Sequence, residues 1–281
     1  MEAAAFLAET GRARIDLFRN RLRRAAANPA SEEAIHDLRV SIRRVLAWIA
    51  VRDALLGPDR DLRAARSSLK GLMSPLGKLR DAHVKRDLIR TILPNGDEPS
   101  YLFAVLVASD VRRWEERVGR ILGRKGARRI RVPLPMPRGG GGSRPEAPEQ
   151  AFRHLATLRR AVDRHREGAL DPSNPEALHG MRLAFKKFRY AWELLAPLLP
   201  RAARGGGKRL RDFQTLLGTI HDCDMILAEA ASFRRTILGR EKESALETAF
   251  RSFREKNFRE FRRTTGTTGG LSRLFGTALR S

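Results

Sequence analysis

The sequence is poor in cysteine and in long apolar runs, and each shortage excludes a class of protein. Cys223 is the only cysteine among 281 residues, so a framework of intrachain disulfides is impossible. We therefore expect a reducing compartment, the cytoplasm. No apolar run approaches the ~20 residues of a membrane-spanning helix, so we expect no membrane insertion. The opening residues, MEAAAFLAETGRARIDLF, lack the basic segment and long apolar core of a secretory signal.

Aromatic and acidic residues are also scarce. Aromatic residues make up 6% of the chain, with two Tyr and three Trp, so platforms for stacking nucleic-acid bases are few. The 32 Asp and Glu face 56 Lys and Arg, which gives a formal net charge of +24. This imbalance indicates a polyanionic partner: nucleic acid, an anionic membrane surface or a phosphate polymer. Arginine outnumbers lysine, which suits bidentate phosphate recognition, although a codon bias toward arginine would produce the same composition.

The sequence has no strand-like alternation of apolar and polar residues, whereas helical periodicity runs through most of it. We therefore predict an all-α protein. A Pro- and Gly-rich stretch at 131–150 reads as a linker between two parts of the chain. Shorter breaker-rich segments predict the helix junctions: NPAS at 28–31, GPD at 57–59, PNGDEP at 94–99, DPSNP at 171–175 and RAARGGG at 201–207.

The two sides of this linker repeat one another. EAIHDLRVSIRR, from Glu33, matches EALHGMRLAFKK 143 residues further on, and LMSPLGKLRDAHV, from Leu72, matches FQTLLGTIHDCDM 141 residues further on. Two matches in the same order at nearly the same offset indicate a duplicated unit of about four helices. The predicted organisation is a first four-helix half at 1–130, the linker at 131–150, a second four-helix half at 151–262 and a basic flexible tail at 263–281.

A row of cations follows one side of the helix LHGMRLAFKKFRYAWELL. Its members are three or four residues apart, so they form a narrow stripe: His179, Arg182, Lys186 and Arg189. An apolar core seam runs along one flank, and Leu183, Tyr190 and Leu194 lie on the other. The first copy repeats the stripe with His36, Arg39 and Arg43, but Leu46 takes the fourth position. Arg44 and Lys187 sit further round, where they reach the same groove or point to water.

Two interpretations of the stripe remain open. As a solvated face, like charges one turn apart cost only about 0.2–0.5 kcal/mol per pair. In a partly enclosed groove, cations about 6 Å apart repel by roughly 3 kcal/mol at an effective dielectric constant of 20, so they require anions. The apolar flanks favour the groove. Each histidine lies about one turn inside its helix, after Ser31 or Asn174 as the predicted cap, and either contacts a ligand or only packs.

The third helix of each copy carries further cations. The pattern L-G-x-[LI]-x-D follows them, and Asp81 and Asp222 are expected to be internal partners of stripe cations rather than acids in chemistry. Its glycine is expected to let another helix approach closely or to bend the chain. The additional candidate ligands are Arg66 and Lys70 in the first copy and Lys208 and Arg211 in the second.

These motifs together resemble the CHAD family, the α-helical domains named for their histidines. The resemblance rests on the duplicated H-x-x-R-[VL]-x-x-[RK]-[RK] helix, the FRYAWE continuation and the paired LG-x-x-x-D segments. It implies two antiparallel four-helix bundles related by pseudo-two-fold symmetry, with a basic groove or channel, lined by both halves, that binds inorganic polyphosphate. Carried over by position, the implied ligands are His36, Arg39, Arg43, Arg44, His179, Arg182, Lys186, Lys187 and Arg189.

An enzyme and a nucleic-acid-binding protein are the rival interpretations. HDCD at 221–224 is similar to the start of a phosphohydrolase metal site, but no aspartate follows Asp224 to complete it. A triphosphatase tunnel, which often accompanies the family, needs an E-x-E-x-K strand that the sequence lacks. We therefore expect no catalysis, no cofactor and no metal. RNA is the alternative partner, because the net charge permits it although no recognised nucleic-acid motif is present. The expected location is the cytoplasm, with association with polyphosphate granules.

Overall fold

The computed structural model describes residues 3–123, 130, 132–133, 147–199 and 206–266. In these residues the chain forms nine α-helices and no strand, which confirms the predicted all-α class. A short 3₁₀ turn, Ala196–Leu198, follows the seventh helix. The helices are α1 Ala3–Ala27, α2 Glu32–Leu56, α3 Arg60–Ile92, α4 Glu98–Leu122, α5 Ala147–Asp163, α6 Arg166–Ala169, α7 Pro175–Leu195, α8 Gly207–Thr236 and α9 Ala245–Thr265.

The helix ends fall at the breaker-rich segments because caps are available there. The Ser31 hydroxyl accepts a hydrogen bond from the backbone N–H of Ala34 at 3.1 Å and begins α2. The Asn174 side chain accepts one from Ala177 at 3.0 Å at the start of α7. α5 begins inside the predicted linker, and α9 continues to Thr265, beyond the predicted start of the tail. Most of that linker, 134–146, and of that tail, 267–281, lies outside the described residues.

The helices gather into two compact units. Unit 1 comprises residues 1–81, 111–155 and 190–199, and unit 2 comprises 82–110, 156–189 and 200–281. α3, α4, α5 and α7 each supply residues to both units, so the units do not coincide with the two sequence repeats. The predicted bundle arrangement and domain boundaries follow the repeats, and they stay a prediction.

The core of unit 1 forms around Trp48 of α2. Its side chain is fully buried, and its indole N–H donates to the backbone oxygen of Leu7 at 2.8 Å. The predicted apolar seam of α2 is buried beside it, from Ile35 to Ile49. Gly11 of α1 faces the indole so closely that a Cβ there would lie 2.4 Å from two ring carbons. The absence of a side chain at Gly11 therefore sets how closely α1 and α2 pack.

The core of unit 2 is rich in phenylalanine. Phe185 of α7 packs edge-on against Phe213 of α8, with 4.8 Å between the ring centroids. Behind α8, the buried guanidinium of Arg234 donates to the Glu247 carboxylate at 2.8 Å, and Ser244 completes a capping box with Glu247 at the start of α9. These contacts fix α7, α8 and α9 within the unit.

Replacing Gly11 with alanine should destabilise the protein, because the rigid, fully buried indole of Trp48 cannot yield to a Cβ. Overpacking of this kind costs about 1–3 kcal/mol and outweighs the gain in helix propensity. Gly71→Ala on α3 is the matched control, since no described atom outside its own helix would lie within 4 Å of the new Cβ. Chemical denaturation should rank Gly71→Ala at or above the parent and Gly11→Ala below it; the reverse order would contradict the packing.

Candidate anion-binding sites

The cationic stripe of α7 is partly enclosed rather than fully solvated. His179, Arg182 and Lys186 are half-buried, and Arg189 is buried with 7% of its surface exposed. Of the predicted apolar flank, Tyr190 and Leu194 are buried. Leu183 is instead exposed at 43%. The buried core seam therefore closes one flank of the stripe, whereas the flank that contains Leu183 is open in part.

α8 contacts the stripe at two levels within unit 2. At one level, Nε of Arg189 donates to Oε1 of Gln214 at 2.6 Å. At the other, the rings of His179 and His221 lie 4.6 Å apart between centroids, with 3.3 Å between their Nδ1 atoms. The two helices are thus antiparallel here. We call this arrangement site 2; its members are His179, Arg182, Lys186 and Arg189 of α7 with Gln214 and His221 of α8.

The paired histidines of site 2 are held in the neutral form. Burial, followed by the charges of Arg182, His179 and Lys186, lowers the pKa of His221 to about 4. Partial burial and the same two cations lower the pKa of His179. At 3.3 Å, one Nδ1 donates a proton that the other accepts, which two protonated rings cannot do. The pair therefore contributes polar groups at neutral pH without adding to the positive charge.

Unit 1 contains a second cluster, which includes a buried and incompletely hydrogen-bonded guanidinium. Arg39 of α2 is 6% exposed, and neither its Nε nor its Nη1 has a hydrogen-bond partner among the described residues. The Nε of Arg43, one turn away, is in the same state. Each buried polar group left this way costs about 1–3 kcal/mol. An anion that accepts from these N–H groups would recover that cost.

The electrostatics of this cluster come from both α2 and α3. Burial, followed by the charge of Arg43, lowers the pKa of Arg39 to about 10; Asp81 opposes this effect and Arg80 adds to it. Partial burial and the charge of Arg80 lower the pKa of His36. Within unit 1, α3 thus brings Arg80 and Asp81 to the stripe of α2. We call this arrangement site 1; its members are His36, Arg39, Arg43 and Arg80.

Other candidates predicted from the sequence lie elsewhere or at the surface. Arg66 forms an ion pair with Asp53 at 2.6 Å and so has an internal partner. The backbone oxygen of Arg44 accepts a hydrogen bond from the guanidinium of Arg14. Burial, followed by the charge of Arg44, lowers the pKa of Arg14 to about 10. This puts Arg44 next to α1. The remaining candidates are exposed, and their role stays a prediction: Lys70, Lys187, Lys208 and Arg211.

Sequence reasoning missed three participants and misjudged the glycines. The sequence motifs do not indicate Arg80 or Gln214 as site residues, and they place His221 only in a candidate enzyme site. The repeat offers the signal, since Arg80 and His221 occupy the same position, immediately before the aspartate of L-G-x-[LI]-x-D. Of the two expectations for Gly77 and Gly218, the close helix approach is wrong, because a Cβ at either meets no atom within 4 Å outside its own helix among the described residues. The bend of the chain stays a prediction.

Neither a metal centre nor a membrane span emerges from the part of the chain that the structure describes. No group of three or more His, Cys, Asp or Glu side chains there could hold a metal ion. None of the nine helices is long and apolar enough to cross a membrane. Sites 1 and 2 consist of guanidinium, ammonium, imidazole and amide groups, which suit the binding of oxyanions.

The chain is similar to proteins that carry one particular helical domain. The family model of the CHAD domain matches residues 12–231. The crystal structure of the CHAD domain from the plant Ricinus communis has a TM-score of 0.67 at 18% identity, covering 95% of this chain and 93% of its own. PptA from Streptomyces chartreusis has a TM-score of 0.59 at 20% identity, with 94% and 96% covered. Identities this low establish the fold alone. No curated protein matches the chain.

Arg39→Met should leave the unliganded protein as stable as the parent or more stable, because it removes two buried N–H groups without partners. Arg52→Met on the same helix is the matched control. Arg52 is equally buried, but it pairs with Asp59 at 3.2 Å and with Asp53 at 3.4 Å. Breaking those buried pairs should cost about 3–5 kcal/mol. Chemical denaturation measures both, and a loss of stability at Arg39 as large as at Arg52 would mean that Arg39 is a structural residue.

Proposed function

Because this chain belongs to the CHAD domain family, we propose that it binds inorganic polyphosphate and does not hydrolyse it. The observation that carries the proposal is the buried Arg39, whose Nε and Nη1 have no hydrogen-bond partner in the described part of the chain. A protein keeps such a group at a cost in stability, and an oxyanion is the ligand that repays it. Arg43 adds a third N–H group of the same kind.

Phosphate suits both sites better than a carboxylate or a metal complex. Arginine binds phosphate oxygens through several N–H groups at once, and each charge-assisted contact contributes about 1.5–3 kcal/mol. Site 2 offers cations and neutral imidazoles on adjacent helices, and site 1 offers three arginines and a histidine. A polymer with one negative charge per phosphate can engage such a row at every member. Its many ionised groups also match the net charge of +24.

The surroundings of the stripe favour an unbranched phosphate chain over RNA. The aromatic side chains of α7, from Phe185 to Trp192, are buried in the cores and present no face on which a base could stack. The family's association with polyphosphate supports the same choice. RNA remains the competitor that the net charge favours. We propose that the protein binds polyphosphate in the cytoplasm, including polyphosphate in granules.

Competition between polymers tests the proposal most directly. The protein would be titrated at physiological salt with three ligands: long-chain polyphosphate, tripolyphosphate, and an RNA that carries the same total charge as the long polyphosphate. We expect long-chain polyphosphate to bind tightest, since one chain has enough phosphates to meet every cation of a site, and each contact after the first is then intramolecular. Equal affinity for tripolyphosphate would sink the polymer proposal, and preference for RNA would replace it. Release of orthophosphate from the bound chain would overturn the absence of catalysis.

Removing stripe charges should weaken polyphosphate binding far more than removing the same number of charges elsewhere. Arg182→Gln/Lys186→Gln removes two site contacts and lowers the net charge from +24 to +22. At about 1.5 kcal/mol or more per contact, the loss of affinity should be on the order of 100-fold. The control is Arg259→Gln/Arg263→Gln on α9, whose side chains are 71% and 78% exposed. Similar losses in both variants would mean that net charge alone attracts the ligand.

Polyphosphate affinity should rise as the pH falls through the histidine range. In the free protein, burial and then neighbouring cations hold the pKa of His221 at about 4 and lower that of His179. A bound phosphate offsets Arg182 and Lys186, so the pKa of both rings rises, protons are taken up on binding, and acid strengthens the complex. Titrations between about pH 8 and 5 measure this, because internal phosphates stay ionised there.

His179→Gln/His221→Gln should remove most of that pH dependence and leave only the contribution of His36, whose pKa is also lowered. Because glutamine stays uncharged, the variant's affinity at pH 8 should remain close to the parent's. An unchanged pH profile in this double variant would show that the proton is taken up elsewhere.

A further inference from the structure

Gly218 of α8 lies on the face of its helix that meets the stripe. Gln214, four residues before it, accepts a hydrogen bond from Arg189, and the ring of His221, three residues after it, lies tilted against the ring of His179. On α7, Arg182 and Lys186 lie between those two contacted residues. Gly218 is therefore level with the two cations at the middle of site 2.

The space in front of Gly218 is open, although α7 and α8 are in contact on either side of it, at Gln214 and at His221. A Cβ at this position would meet no atom within 4 Å among the described residues, apart from its own helix. Close packing therefore does not explain the glycine. Backbone geometry does not explain it either, because the positive φ glycines of the described chain are Gly57, Gly206 and Gly239. Alanine would suit this helix better, since glycine in a helix interior is destabilising.

The equivalent glycine of the first repeat, Gly77, is in the same situation. A Cβ there also meets nothing within 4 Å in the described chain outside α3. Arg80 and Asp81, one turn further on, act on the charge of Arg39, so this face of α3 is turned toward site 1. Arg39 supplies the independent sign of a ligand, a nine-tenths buried guanidinium with two N–H groups that lack partners.

We propose that Gly77 and Gly218 belong to the anion-binding sites: the missing side chain leaves the space in which a phosphate group lies between helix α3 or α8 and the cations opposite. This inference rests on the proposed binding of polyphosphate and adds two residues that carry no charge. It assigns them a steric role, that of keeping the entry to each row of cations as wide as a phosphate.

The test is a graded series at each glycine. Gly77→Ala, Gly77→Leu, Gly218→Ala and Gly218→Leu would be compared with Gly71→Ala and Gly71→Leu. Gly71 is an exposed position of α3 that is likewise free of neighbours within 4 Å, but it lies about 120° round the helix from Gly77. Thermal unfolding without ligand and titration with long-chain polyphosphate are measured for every variant and for the parent.

We expect all three alanine variants to unfold at the parent's temperature or about 2 °C above it, as a gain in helix propensity predicts. Affinity should fall from Gly to Ala to Leu at positions 77 and 218, with leucine losing about tenfold or more, the equivalent of one charge-assisted contact. The Gly71 variants should bind as the parent does.

Two results would overturn the inference while leaving the proposed function intact. One is that Gly77→Leu and Gly218→Leu bind polyphosphate as tightly as Gly71→Leu. The other is that the alanine variants at 77 and 218 unfold well below the parent or fail to fold, which would mean that the glycines serve packing. If the parent itself does not bind polyphosphate, the proposed function falls and this inference falls with it.

Discussion

Like charges held close together and partly away from water are the constraint around which each unit is arranged. Bulk water would screen the cations of α2 and α7, but burial of Arg39 and Arg189 removes much of that screening. The fold limits the resulting repulsion with neutral polar groups and a few carboxylates. Gln214 accepts a hydrogen bond from Arg189, and the negative charge of Asp81 stabilises the charged form of Arg39. Burial and then the neighbouring cations lower the pKa of His179, which favours its neutral form. Among the described residues of the two stripes, the buried N–H groups without a hydrogen-bond acceptor are on Arg39 and Arg43.

The two sites solve this problem with different chemistry at equivalent positions. In the second repeat, His221 stands beside His179 and, with its pKa lowered to about 4 by burial and then by neighbouring charges, adds no positive charge to Arg182 and Lys186 near pH 7. In the first repeat, Arg80 takes that place, and burial followed by the charge of Arg80 lowers the pKa of His36. The two sequence repeats thus carry different charges at one equivalent position.

Much of the fold was predictable from sequence, because helix ends depend on local chemistry. Ser31 and Asn174 cap α2 and α7 as expected, and the apolar seams of these two helices are buried. These features depend on spacing along one chain segment, which a sequence displays directly. The stripe itself was predictable for the same reason.

The partners of the stripe were less predictable, because they depend on how two helices are in register. Nothing in the spacing of α8 says that Gln214 will reach Arg189, nor that Arg66 will find Asp53 instead of a ligand. The division into two units was also hidden, since four helices each contribute to both. Likewise, a glycine beside empty space and a glycine beside an indole look identical in sequence; Gly218 and Gly11 differ only in the structure.

For the proposed binding of polyphosphate, the burial of Arg39 predicts slow release of the ligand. Exposed cations such as Lys187 and Lys208 act at a distance, so they raise the rate at which a polyanion arrives, and salt weakens their effect. A contact with a desolvated guanidinium is made only after arrival, and breaking it leaves two N–H groups without a hydrogen-bond partner among the described residues. Such a contact governs how slowly the ligand leaves. In the proposed binding, exposed lysines therefore set how fast the polyanion arrives, and the buried Arg39 sets how long it stays bound.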